Sequence, residues 1–228
     1  MDAQTRYQAL REQPLRSATS HASTFRGGLA SIANVFRHRE MLSLLVRRDL
    51  KSKYKDSALG FLWTLVRPLT QLAIYYVVIG HFLNAAKGIP DFAIYVFTGL
   101  TAYSLFSETV ASATNSIVSN GGLIKKVYLP REVFPLASVG SALFNFLIQF
   151  GILLAATIVL GVFPWSIELL YAIPSILVLL VFATALGLLL SAVNVYLRDI
   201  GYLMEVVLLV MLWASPVVYS WSMVKSVL

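Results

Sequence analysis

The chain has 228 residues, a net charge of +7 and no cysteine; 58% of its residues are hydrophobic and only 13% are charged. A soluble domain is nearer one-quarter charged, so this composition, with a mean hydropathy of +0.75, excludes an ordinary soluble domain. The lack of cysteine excludes disulfides and thiolate metal sites.

Residues 1–34 are polar and hold no apolar core of signal-peptide length, so they read as a flexible cytoplasmic tail. Residues 35–56 are amphipathic. At 100° per residue Leu42, Leu45, Val46 and Leu50 fall on one side, and Arg37, Arg48, Lys51 and Lys55 fall opposite. That pattern suits a helix lying in the inner membrane interface; a solvated helix preceding a span is the alternative.

Residues 57–228 form the membrane domain. Apolar blocks cover 61–83, 92–113, 133–163, 171–196 and 200–219. A bilayer core takes about 20 helical residues, and only helices satisfy their own backbone in lipid. The fold class is therefore all-α, a polytopic transmembrane bundle with five spans. Residues 1–67 hold twelve Lys or Arg. With that end inside, the inner side carries sixteen and the outer side two, Lys87 and Lys225. This positive-inside bias places the N-terminus in the cytoplasm. The basic charge is topology, and no nucleic-acid partner is expected. No internal repeat is visible.

The first span contains Trp63 near its cytoplasmic start, followed by Arg67-Pro68. Arg67 either snorkels to the interface or joins Glu108 of the second span and Glu205 of the fifth in a polar layer. Counting about 1.5 Å per residue puts all three roughly 8–10 Å in from the inner boundary. If Arg67 and Glu108 pair, swapping their charges rescues assembly lost in each single reversal.

Aromatic residues form stripes: Phe92, Tyr95, Tyr103 and Phe106 on the second span, Tyr171, Phe182 and Tyr196 on the fourth, Tyr202 and Trp213 on the fifth. Such faces can stack on sugar rings, or serve helix packing and interface belts. Asn145 and Gln149 share a face of the third span, suited to interhelical hydrogen bonds or to substrate. Ala183, Gly187 and Ser191 make a small-residue ladder that permits close helix approach. Ser215-Pro216 is expected to kink the fifth helix. The sequence has no GxxxxGK[ST] loop, no HExxH and no evident Ser/His/Asp set, and its histidines, His21, His38 and His81, are scattered. No catalytic or metal site is expected.

Four passages resemble the membrane subunit of type-two bacterial ABC exporters, in the polysaccharide and teichoic acid branch. They are LKSKYKDSALGFLWTLVRPL (50–69), GLTAYSLFSETVASATNSIVSNGGLIKKVYLPREVFPL (99–136), NVYLRDIGYL (194–203) and SPVVYS (215–220). The order matches from about residue 35 onward. The resemblance implies a homodimeric permease in the bacterial cytoplasmic membrane. Two separate ATPase subunits would bind the ATP and Mg, so no cofactor belongs to this chain.

It further implies that Lys125, Lys126, Tyr128, Pro130 and Arg131 lie in the cytoplasmic loop that docks the ATPase. The implied substrate is a polyprenyl-diphosphate glycan: O-antigen, teichoic acid or cell-wall galactan. Its diphosphate would meet Arg48, Lys51 and Arg67, and its sugars would follow the aromatic stripes. Family members continue past the fifth span to outer gate helices and a sixth span, so this chain reads as part of a longer protein. The alternatives are an ATP-independent carrier or channel, a drug exporter of the same class, and a membrane glycosyltransferase. The last would need clustered cytoplasmic carboxylates, whereas Asp49, Asp56 and Asp199 are scattered.

Overall fold

The computed structural model describes residues 39–54, 62–74, 77–78, 91–126, 129–163 and 167–217. These residues are helical, joined by turns, without strands. The helices are α1 (Arg39–Tyr54), α2 (Trp63–Ile74), α3 (Phe92–Ser119), the one-turn α4 (Gly121–Ile124), α5 (Val133–Val159), α6 (Ala172–Tyr196) and α7 (Asp199–Ala214). A 3₁₀ turn, Ile167–Tyr171, leads into α6. The tail, Tyr128 and the three histidines lie outside the described residues, and so does the side chain of Arg67.

The centre of the bundle is α3. It packs along both α5 and α6, and α7 closes its remaining side. Small residues set the α3–α6 distance. Ala183, Gly187 and Ser191 are all buried, and a Cβ on Gly187 would stand 2.7 Å from the Cβ of Ala113. In lipid, where apolar burial drives little helix association, such close backbone approach supplies the packing attraction. Above it Phe106, Val110, Ala183 and Leu208 form a core from three helices. The outward faces of α6 and α7 remain apolar, with Val178, Val181, Val206 and Leu209 exposed.

Helix ends follow local rules. Gly161 stands at φ 71 just past α5. The Val162 N–H donates to the Thr157 carbonyl and the Gly161 N–H to the Ile158 carbonyl, the two bonds of a Schellman ending. This stops α5 at Val159, four residues before the end of the expected apolar block. Helix α3 instead outruns its block, continuing from Ala113 to Ser119. At Ser215-Pro216 the expected kink is a termination. Proline disfavours helical backbone in the preceding residue, and Ser215 is extended at ψ 142. The released segment folds onto the start of α3: Tyr95 Oη donates to the Pro216 carbonyl at 3.0 Å.

By length and composition, two stretches of the described residues can cross a membrane, Val133–Val159 and Leu169–Tyr196. The described part of α2 has 12 residues and α7 has 16. Helix α3 has 28 residues, but polar side chains interrupt its apolar run. Ser104, Glu108, Ser112, Ser116 and Asn120 recur at every fourth position. At 100° per residue this is one slowly drifting stripe.

Candidate functional site

The polar stripe of α3 leads from the turn at 120–132 into the bundle. A cleft of about 390 Å³ runs beside its outer half, lined by Arg48, Lys53, Glu108, Ser116, Asn120 and Ser138 among others. Glu108 and Lys53 also border a larger cleft of about 1220 Å³ between α2, α3, α5 and α7. The two clefts share these residues at the level of Glu108.

Glu108 therefore sits at the junction. Lys53 Nζ lies 2.8 Å from its Oε1, and Asn145 Nδ2 donates to the same oxygen at 2.6 Å. Three helices meet there: α1, α3 and α5. Among the described residues the charge partner of Glu108 is Lys53; the expected pairing with Arg67 rests on a side chain outside the described residues. Counting depth along each span overlooked α1, whose last turn lies beside α3 and whose lysine reaches in on a flexible stem. Glu205 lines the same large cleft as Glu108 but is exposed and makes no ion pair or hydrogen bond among the described residues. One turn further along, Ser104 Oγ donates to Gln149 Oε1 at 2.8 Å. Asn145 and Gln149 thus make interhelical bonds from α5 to α3.

Lys53 is half-exposed, with 46% of its side chain accessible, so its pair with Glu108 is worth at most about 1 kcal/mol. A double-mutant cycle of Lys53→Ala and Glu108→Ala in the solubilised protein is expected to show that coupling in the thermal midpoint. Additive single effects would show that the two side chains act independently.

A second packed face is built from α1, the turn at 120–132 and the start of α5. Leu45 is 7% exposed and packs with Val133, Phe134 and Ala137, and Leu123, Ile124 and Leu129 of the turn close over them. Burying one such leucine stabilises by about 2 kcal/mol. The apolar side of α1 thus meets protein, where the amphipathic pattern alone suits a membrane interface. A Cβ on Gly140 would lie 2.8 Å from Val46, so α1 crosses α5 closely there. Arg48 Nη2 donates to Asn120 Oδ1 at 2.7 Å and pairs with Asp49 at 2.8 Å. Its guanidinium fastens α1 to the turn while 43% of the side chain stays accessible. Lys51 remains exposed. Lys125, Lys126 and Arg131 all point to solvent, while Pro130 is half-buried. The turn is held by its apolar residues and presents its cations outward.

The aromatic residues divide. Phe92 and Phe106 are 4% and 6% exposed, and the Phe106 ring stacks on Phe182 at 6.2 Å between centroids. Tyr103 donates its hydroxyl to the Leu208 carbonyl. Phe92 and Phe106 thus pack helices together and offer no open face to a sugar, a correction whose cause is the centrality of α3, whereas Tyr95 and Phe182 are exposed. Tyr171, Tyr196, Tyr202 and Trp213 are exposed. Tyr171 and Tyr196 stand at opposite ends of α6, where interface belts form.

Two features escaped the sequence reading. Trp63, half-exposed, lines the large cleft, a place that an indole near a membrane boundary does not announce in sequence. Asn194, 2% exposed, donates to the Thr114 carbonyl at 3.0 Å and to Asn115 Oδ1 at 3.2 Å. Its own Oδ1 accepts the Gly201 N–H at 3.0 Å. It caps α7 from the preceding helix and ties both to α3. The signal was present, as an amide closing an apolar helix just before Arg198-Asp199.

Residues 40–228 match the ABC-2 type transporter family. The O-antigen export system permease protein RfbA of Myxococcus xanthus is 30% identical over 195 residues, 85% of this chain and 74% of that protein. The protein of the same name from Klebsiella pneumoniae is 28% identical over 186 residues, 81% of this chain and 71% of that protein. A shorter match, 24% over 79 residues, is to the polysialic acid transport protein KpsM of Escherichia coli; it covers 35% of this chain and 31% of that protein. The family covers the helical bundle, both clefts and the 120–132 turn: the chain is an integral membrane protein and belongs to the ABC-2 type transporter family.

Proposed function

We propose that this chain is the transmembrane subunit of an ATP-driven exporter that moves a polyprenyl-diphosphate-linked glycan across the bacterial cytoplasmic membrane. The observation that carries this reading is the similarity to O-antigen export permeases over more than four-fifths of the chain. Two copies form the path, and two copies of a separate ATPase bind the ATP and Mg and do the hydrolysis. The sequence supports that division of labour, since it has no phosphate-binding loop of its own. The N-terminus is cytoplasmic, as the distribution of Lys and Arg favours. The outward cations of the 120–132 turn form the ATPase contact. Lys51 and Arg67 are the headgroup candidates, and the clefts along the α3 stripe border the path of the sugars.

Cells that make a lipid-linked glycan but lack their own permease test this. Supplying the chain in its native full-length form with its ATPase is expected to bring the glycan to the cell surface, seen by whole-cell antibody labelling. Intracellular accumulation in the presence of an assembled, ATP-hydrolysing complex would contradict the assignment.

A further inference from the structure

The smaller cleft, between α1, α3 and α5, has a one-sided hydrogen-bonding character. Ser112, Ser116 and Ser119 of α3 and Ser138 and Ser141 of α5 line it. Each donates its hydroxyl proton to a carbonyl three or four residues back in its own helix. A hydroxyl has one proton and two lone pairs, so these side chains meet the cleft as acceptors. Asn120 is committed too: its Nδ2 donates to the Ser116 carbonyl at 2.8 Å, and its Oδ1 accepts from Arg48. The carboxylates of Asp49 and Glu108 add further acceptors, while Arg48 and Lys53 bring the charged donors. Both cations are half-exposed, and each already has a carboxylate partner. Among the described lining residues, positive and negative charges balance.

A volume of about 390 Å³ is near the lower end of small-ligand pockets, roughly 300–1,000 Å³, and suits a headgroup rather than a polymer. Filling an acceptor-rich space takes a donor. An ammonium supplies three N–H groups and a positive charge. A phosphate complements guanidinium and lysine. A group that carries both ends matches a charge-balanced lining better than a plain anion does, since a carboxylate stands beside each cation. The setting points to a lipid as its source. The chain is an integral membrane protein, and at 100° per residue Leu44, 60% exposed, shares the outward side of α1 with exposed Arg47 and Lys51. An apolar side chain among cations suits the headgroup region of a bilayer. We propose that the cleft between α1, α3 and α5 binds the headgroup of a phosphoethanolamine lipid, with its ammonium among the oxygens of Ser112, Ser116, Ser138 and Ser141 and its phosphate against Arg48 and Lys53. A lipid seated there joins α1 to the two helices it lies across. The site is independent of which substrate the protein exports.

The test is native mass spectrometry on the full-length subunit, delipidated in detergent and titrated with phosphatidylethanolamine, phosphatidylcholine or phosphatidylglycerol of equal acyl chains. Phosphatidylcholine keeps the phosphate and the positive charge but has no N–H to donate. Phosphatidylglycerol has no ammonium at all. Phosphatidylethanolamine is expected to bind about tenfold more tightly than either, the effect of about one charge-assisted hydrogen bond. Ser112→Ala together with Ser141→Ala removes two acceptors and no charge. The pair is expected to bring phosphatidylethanolamine to within about threefold of phosphatidylcholine. Ser107→Ala, at a serine of the larger cleft, is expected to leave the preference in place. Equal binding of phosphatidylethanolamine and phosphatidylcholine by the unaltered protein overturns the proposal, as does equal or tighter binding of phosphatidylglycerol. A preference that survives the double serine variant, or that Ser107→Ala also abolishes, overturns it as well. Free O-phosphoethanolamine separates a lipid from a soluble source of the same chemistry. Competition only at about 100-fold higher concentration or more is expected of a lipid site, whose acyl chains add to the binding. Competition at the lipid's own concentration would assign the cleft to a soluble phosphoamine and overturn the lipid assignment.

Discussion

Asn194→Asp is expected to lower the thermal midpoint of the detergent-solubilised protein by about 5–10 °C. The side chain is 2% exposed and makes three hydrogen bonds. Aspartate keeps the oxygen that accepts the Gly201 N–H. It loses both donations, and it sets a carboxylate oxygen against the Thr114 carbonyl and Asn115 Oδ1. Each buried polar group left without its partner costs about 1–3 kcal/mol, and the buried charge adds to that, so a loss of about 3 kcal/mol is expected. No side chain on Gly201 could fill the gap, because a Cβ there would lie 2.5 Å from Asn115 Oδ1. The damage should centre on the α6–α7 turn, which Asn194 holds to α3. Differential scanning fluorimetry on matched preparations measures it. An unchanged midpoint would mean that the turn is held by something other than this amide.

Much of this architecture was legible in the chain. Blocks of apolar residues fix where helices run, because the bilayer admits nothing else. The ladder of Ala183, Gly187 and Ser191 announced a close helix contact, and the structure places it against Ala113. Helix ends were less legible. Gly161 stops α5 by adopting positive φ, and Pro216 stops α7 through the residue before it; hydropathy does not register either effect.

The site was legible only in part. The α3 stripe from Ser104 to Asn120 is a plain four-residue spacing, visible without coordinates. Which charge answers Glu108 was not visible, because Lys53 is distant in sequence and belongs to a helix outside the spans. Burial reversed the reading of Phe92 and Phe106, since an aromatic stripe looks the same in sequence whether it faces a path or a neighbouring helix. Trp63 was undervalued for the complementary reason: an indole near a membrane boundary has an ordinary explanation until a cleft is found beside it.

The central proposal is that the face formed by α1 and the 120–132 turn docks an ATPase through its outward cations. Lys125, Lys126 and Arg131 are exposed, and the turn that carries them is anchored separately by Leu123, Ile124 and Leu129. Reversing the three charges should therefore leave the fold intact. Surface substitutions away from packed features change stability little, whereas like charges facing each other across an interface cost several kcal/mol. The measurement is co-purification of the genomically neighbouring ATPase from membranes with the full-length subunit, unaltered and carrying Lys125→Glu, Lys126→Glu and Arg131→Glu together. The expected result is stoichiometric ATPase with the unaltered subunit and about 100-fold weaker association with the triple variant at an equal thermal midpoint. Equal capture of the ATPase by both would show that it docks elsewhere and would contradict the account.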